Sequence, residues 1–235
     1  MTCLLIGTAV FGEASVAEAA KKISIDNVKV YQAIEADLNL TGSGTGYHAK
    51  MVFGTAESAV SFGVQYDQHG RPPYAGKAVV MVENVLSNAA GGQEYSWPNG
   101  IVVEQGKKYH MMMTLSKKGN ITVYFDNKKL ATYYNPGLAG KDDVGIRVEG
   151  SARKNGDVVN AKFTNIKVKQ GIYDELSDFT TLKFDTCPTI HSKVKKNQSS
   201  VTISGKLSGL GADQDWDSAY NVVSGVTQFY HQPED

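Results

Sequence analysis

Two stretches of this sequence hold residues whose types could do chemistry. Tyr66, Asp67, His69, Arg71 and Tyr74 fall in the first, and Gln93, Glu94, Tyr95, Trp97 and Asn99 in the second. They combine flat aromatic faces, which pack on the C–H surfaces of sugar rings, with planar amides and carboxylates, which pair with sugar hydroxyls. Glycan recognition is the chemistry expected of them. The competing expectation is ordinary loop polarity, with Trp97 plugging the edge of a sheet. A third group, Asp213, Asp215 and Asp217, has the alternate-aspartate spacing that opens a calcium loop. Ser218 stands there in place of the turn glycine, and Ser224 in place of the closing glutamate. Calcium is the one cofactor the sequence raises; the alternative is an Asp-capped turn with Trp216 packed on a core.

No catalytic residues are expected. Glu35 and Asp37 are two apart on an extended run and share a face, but they alternate with Ile34, Ala36 and Leu38, which places them on the solvent side. The five histidines are scattered with no His-x-His or Cys-x-x-Cys spacing, which argues against zinc. No Gly-x-Ser-x-Gly elbow and no phosphate-cradling glycine loop occurs.

The elements that must position these residues are strands. Between Gln105 and Lys169 lie four period-two apolar runs: Tyr109, Met111, Met113 and Leu115; Ile121, Val123 and Phe125; Val144, Ile146 and Val148; and Val159, Ala161 and Phe163. Such alternation buries one face of a strand and leaves the other to solvent or a groove. Lys117-Lys118-Gly119-Asn120 and Asp126-Asn127-Lys128-Lys129 have turn compositions, so the unit reads as an antiparallel meander. Upstream, Ile23 to Val30, Ile34 to Leu40, Tyr47 to Phe53 and Val60 to Tyr66 read as strands. Ala78 to Leu86, almost continuously apolar, reads as a central strand covered on both faces. Gly70, Pro72 and Pro73 mark a loop, and Ser87 to Gly100 reads as the longest loop. About ten or eleven strands are too many for one ordinary open sheet, so the fold class expected is an all-β, two-sheet antiparallel sandwich of jelly-roll type.

Composition narrows the partners. Lys+Arg and Asp+Glu are both 24, so the chain has no net charge and no reason to bind nucleic acid. The run Cys3 to Phe11, followed by Ala17-Glu18-Ala19, reads as a signal peptide over residues 1–20, although no basic residue precedes it. It is too short to span a bilayer, which needs roughly 20 apolar residues, so no membrane span is expected after cleavage. Cys187 would then be the single remaining cysteine, without a disulfide partner. A secreted, disulfide-free protein fits a Gram-positive bacterium, in the medium or at the cell surface. Three sequons, at Asn39, Asn120 and Asn197, would carry sugar only in a eukaryote.

The order Gly106-Lys107-Lys108-Tyr109-His110, Ile121 to Leu130, Asp143-Val144-Gly145-Ile146-Arg147-Val148 and Ala161-Lys162-Phe163-Thr164-Asn165-Ile166-Lys167-Val168 resembles the closing half of a concanavalin A-like lectin/glucanase jelly roll. The resemblance covers roughly Ile23 to Lys169 and lies toward the keto-disaccharide hydrolase-like or LamG-like branches. It implies a concave sheet face that holds carbohydrate. The hydrolases of that superfamily carry an E-x-D-x-x-E strand; here Glu35-Ala36-Asp37 is followed by Leu40 at the last position.

Residues 21–170 are therefore expected to form the jelly roll, and 171–235 a small strand-rich extension resembling the opening of a second β domain. The function expected is a secreted, non-catalytic carbohydrate-binding module with a polysaccharide or glycoconjugate partner. The alternatives are a glycan-active hydrolase and a surface adhesion domain with a protein partner.

Overall fold

The computed structural model describes residues 29–55, 57–87, 92–173, 177–181, 185–186, 192–197, 199–207 and 224–229. The expected signal peptide and the Asp213, Asp215 and Asp217 group lie outside the described residues. Two antiparallel sheets face one another. The larger contains, in spatial order, β13 (Ser192–Lys196), β14 (Val201–Lys206), β10 (Val158–Ile172), β1 (Lys29–Ser43), β6 (Lys108–Leu115), β7 (Asn120–Phe125) and β8 (Lys128–Tyr134), with β11 (Phe179–Thr180) paired to β10. The smaller runs β12 (Asp185–Thr186), β15 (Ser224–Phe229), β9 (Gly145–Ala152), β2 (Gly46–Gly54), β3 (Ala59–Asp67), β4 (Lys77–Ser87) and β5 (Gly92–Ser96). The all-β sandwich follows from the alternating runs.

One face of each sheet makes the core. From the eight-stranded sheet come Ile34, Leu38, Met111, Met113, Ile121, Val123, Phe163 and Val168; from the seven-stranded sheet come Tyr47, Met51, Phe53, Phe62, Val80 and Val148. Truncating any one of the phenylalanines to alanine would cost about 3–5 kcal/mol, because a close-packed interior relaxes only partly around the void.

The structure redraws the meander. Strands β6, β7 and β8 are consecutive neighbours, but the Val144–Val148 run becomes β9 in the opposite sheet, between β15 and β2, and the Val159–Phe163 run pairs with β1. Alternation reports which face of a strand is buried and carries no information on which sheet it joins. The turn before β8 is tighter than its four-residue composition implied. Asp126 and Asn127 alone make it, at φ 46° and 64°, a two-residue reversal that asparagine and aspartate tolerate and that matches the twist of the flanking strands.

The Ser87–Gly100 stretch is not a structureless loop: it holds β5 and a 3-10 turn at Pro98–Gly100. Strand β5 is an edge strand exposed along most of its length, so it has no apolar face for the sequence to display. Strand β4 is covered on both sides as expected, with Val80 and Val82 in the core and Val79 and Met81 buried on the other face. The segment after residue 170 contributes to both sheets: β14 places Val201 opposite Phe163 and Ile203 opposite Ala161, and β15 pairs with β9.

Two buried polar groups fix the connections. Asp157 accepts hydrogen bonds from the Thr45 amide (2.8 Å), the Thr45 hydroxyl (2.8 Å), and the Gly46 and Lys154 amides (3.0 Å each), tying the β1–β2 turn to the β9–β10 turn. Asn135 donates to Asn84 Oδ1 and to the Val85 carbonyl, both at 2.9 Å, and accepts from the Gly137 amide, so it fastens the 3-10 turn at Pro136–Leu138 to β4.

Candidate functional site

The seven-stranded sheet turns an unusual face away from the core. Three cross-strand rows can be read from the register. The first is Arg147, Val52, Ser61, Glu83 and Tyr95; the second is Glu149, Lys50, Gly63 and Met81; the third is Ser151, His48, Gln65 and Val79. Val52, Met81, Val79, Ser61 and Ser151 are buried although they point outward, so the face is a recessed trough. Apolar and charged groups are sunk in it together.

Lys50 is the centre of that trough. It keeps 5 % of its surface exposed, and its ammonium sits 2.7 Å from Glu83 Oε2. Glu83 also accepts from the Ser61 hydroxyl at 3.3 Å and from the Gln93 amide, whose nitrogen lies 2.6 Å from the Tyr95 hydroxyl. Lys50 stands on β2 and Glu83 on β4, so its side chain crosses β3, where Gly63 stands opposite it. A Cβ on Gly63 would lie 2.0 Å from the Ala49 carbonyl oxygen and 2.7 Å from Lys50 Cα. Only glycine lets the β3 backbone come this close to β2 at the crossing.

The charges are set by this burial. Desolvation pushes the Glu83 carboxyl up, but the Lys50 charge and the hydrogen bonds from Lys50, Gln93 and Ser61 outweigh it, and the carboxyl is held below the ordinary glutamate range. His48 is driven well below the usual histidine value by burial and by the charge on Lys50, so its imidazole is neutral at pH 7. Its Nε2 lies 3.8 Å from Glu149 Oε1, and Arg147 Nε donates to Glu149 Oε2 at 3.2 Å. Glu149 and Glu83 each retain 17 % exposure of the side chain, so both are recessed yet reachable. Two recessed carboxylates thus flank the Lys50 position: Glu149 opposite it on β9, and Glu83, which holds its ammonium, on β4. Such a set can deprotonate water and stabilise a developing oxyanion.

The residues first singled out distribute differently. Tyr66 stacks on Tyr47 at 5.0 Å and packs against the core. Asp67 accepts from the His69 amide at 2.9 Å and from Arg153 at 2.6 Å, so it closes its own turn. His69, Arg71, Glu94 and Asn99 are exposed. The two loops do meet, where Tyr74 stacks on Trp97 with ring centroids 5.9 Å apart. Gln93 and Tyr95 are the members that reach the trough: Gln93 donates to Glu83, and Tyr95 stands opposite Glu83 and bonds Gln93. Glu35 and Asp37 face outward from the eight-stranded sheet, where Asp37 bonds His110 (3.0 Å) and Asn165 (2.7 Å). Among the described residues no three His, Cys, Asp or Glu side chains come together as a metal site. Sequence reasoning missed Lys50, Ser61, Glu83, His48 and Glu149. Each stands at an outward position of its strand, where alternation alone assigns it to solvent.

No protein-family model matches the chain and no curated protein matches it. The fold places it among two-sheet β-sandwiches, and solved structures of that architecture resemble it. A scytalidoglutamic peptidase bound to a peptide-based transition-state analogue matches with TM-score 0.51 and 11% identity, over 76% of this chain and 96% of that one. The same peptidase with a transition-state analogue inhibitor matches with TM-score 0.50 and 11% identity over the same shares. SCP-B, a member of the eqolisin family of peptidases in complex with the tripeptide Ala-Ile-His, gives 0.47 and 12%, over 76% and 94%. The two scytalidoglutamic peptidase structures stand against the expectation of a non-catalytic, lectin-like carbohydrate-binding module, which is set aside. They support the sandwich and do not link the chain to the concanavalin A-like superfamily. At such identities the likeness is one of fold.

Proposed function

We propose that this chain is a peptide hydrolase that works in the trough on the outer face of the seven-stranded sheet. The observation that carries the reading is the buried residue Lys50, which stands directly opposite Glu149 in the β2–β9 register and whose ammonium is bonded to Glu83 at 2.7 Å. A structural ion pair needs no second recessed carboxylate beside it. The fold likeness to solved structures named as a glutamic peptidase with peptide-based and inhibitory transition-state analogues supports the choice of a peptide bond.

In this reading an extended polypeptide lies across the strands. Glu149 takes a proton from water, the water oxygen attacks the scissile carbonyl, and the proton passes to the departing amine. Directly opposed residues in a sheet have Cβ atoms about 5 Å apart, so a Lys50 ammonium that swings from Glu83 to the bound peptide would reach the carbonyl oxygen as negative charge develops on it. Glu83, fixed by Ser61 and Gln93, anchors Lys50 before the peptide binds, and Arg147 orients Glu149 beside the neutral His48.

The test is digestion of carboxymethylated casein by the full chain across acid to neutral pH, with peptides read by mass spectrometry. Cleavage is expected, and Glu149→Gln should slow it by about a hundredfold or more, the usual worth of a general base. Casein left intact by folded protein at every pH, or cut equally fast by the variant, would overturn the proposal.

A further inference from the structure

The opposite side of the sandwich carries a different pattern. On the outer face of the eight-stranded sheet the register lines up Lys195, Thr202, Lys162, Asn39 and Lys108 across β13, β14, β10, β1 and β6. Strands lie about 4.8 Å apart, so a lysine on every second strand places ammonium-bearing residues at intervals of about 10 Å. Lys193, two residues from Lys195, and Lys167, on β10 beyond Lys162, extend the array in the second dimension. All five lysines are exposed.

The carboxylates on this face are set lower. Lys108 is 61 % exposed over an Asp37 that is 14 % exposed, at 3.2 Å. Lys167 is 48 % exposed over a Glu35 that is 15 % exposed, also at 3.2 Å. Among the described residues Lys162, Lys193 and Lys195 have no carboxylate within ion-pair distance. The outermost layer of the face is therefore cationic, on a chain whose formal net charge is zero. No large apolar side chain is exposed within the array among the described residues, so no aromatic platform is offered to unstacked bases and no wedge to the interior of a membrane.

We infer that this face docks on the surface of an anionic lipid bilayer. The lysines spread over a sheet face in two dimensions, where a groove-bound polymer would draw them into a single file. A planar array of negative headgroups complements them, and the association is electrostatic and without insertion. The inference stands on the sheet opposite the proposed hydrolytic trough and is independent of it.

Co-sedimentation of the full chain with large vesicles tests it. One set is half phosphatidylglycerol and half phosphatidylcholine, the other phosphatidylcholine alone. Binding is expected only to the anionic vesicles, and it should vanish as salt is raised and the charges are screened. A Lys162→Gln/Lys193→Gln/Lys195→Gln variant should partition about a hundredfold less, at about fivefold per lysine. Its denaturation midpoint should equal that of the parent; if it shifts, Lys193→Gln alone should still lose about fivefold. Absence of binding, equal binding to both vesicles, or undiminished binding by the lysine variants would overturn the inference. So would capture of soluble polyphosphate without binding to vesicles.

Discussion

Replacing Glu83 with glutamine keeps the shape of the side chain and removes its charge, leaving Lys50, a residue 5 % exposed, with no anion 2.7 Å from its ammonium. At that separation and an effective dielectric of about 20, Coulomb's law gives an attraction of about 6 kcal/mol. Desolvation of two ions takes back much of it, so the pair itself contributes little net stability, whereas a stranded partner costs about 3–5 kcal/mol. Glu83 keeps 17 % exposure, and water entering there relieves part of the cost. The expected loss for Glu83→Gln is therefore about 3 kcal/mol, at the lower end of that range. Lys50→Met strands Glu83 instead and should lose a similar amount. The double variant strands neither group, and it should recover to within about 1 kcal/mol of the parent. Urea denaturation of the four proteins at neutral pH, with equal slopes, gives the cycle. Because the Glu83 carboxyl is held below its ordinary range in the fold, its contribution is present above the unfolded value and is lost as pH falls through the folded one. The parent should accordingly lose stability in acid more steeply than the double variant. Additive single losses, with no recovery in the double variant, would show that the pair is screened and that the trough is open to bulk water.

Asp157→Ala should cost about 3 kcal/mol or more in the same assay, since it leaves three backbone amides and the Thr45 hydroxyl without an acceptor. Asp157→Asn should retain part of that. Burial pushes the phenols of Tyr31, Tyr47 and Tyr173 up to about 12, helped at Tyr47 by Tyr66 and at Tyr173 by Asp142 and Asp143. Raised phenol values mean that the neutral form belongs to the fold. This stability is complete below the ordinary 10.0 and is lost as pH rises through about 12. Tyrosinate absorbance during alkaline titration should show these three ionising last and together with unfolding; a single transition for all tyrosines at their ordinary value would refute it.

Much of the sandwich was legible because burial imposes alternation. The inward residues of β6 and β7 stand in period-two runs, those of β1 and β10 do so between bulges that separate Tyr31 from Ile34 and Phe163 from Ile166, and Asp126-Asn127 announces its own reversal. Sheet membership was not legible. The Val144–Val148 run has the same pattern whether it pairs with β8 or, as it does, with β2 and β15. Strand β5 escaped because an exposed edge strand needs no apolar face, so Gln93, Glu94 and Tyr95 read as loop.

The trough was harder to see for a related reason. Lys50 lies in His48-Ala49-Lys50-Met51-Val52-Phe53, where alternation assigns it to solvent, and Glu83 lies inside the Ala78–Leu86 run, which reads as a strand covered on both faces. Each position taken alone is ordinary. What makes them a site is that β3 brings Gly63 opposite Lys50 and Ser61 opposite Glu83, which is a fact about register between three strands. The loops rich in aromatics were conspicuous in sequence because their residues are adjacent along the chain. Residues that converge across strands carry no such mark, and a search for chemistry in a β protein must therefore run across the strands, along the rows that register creates.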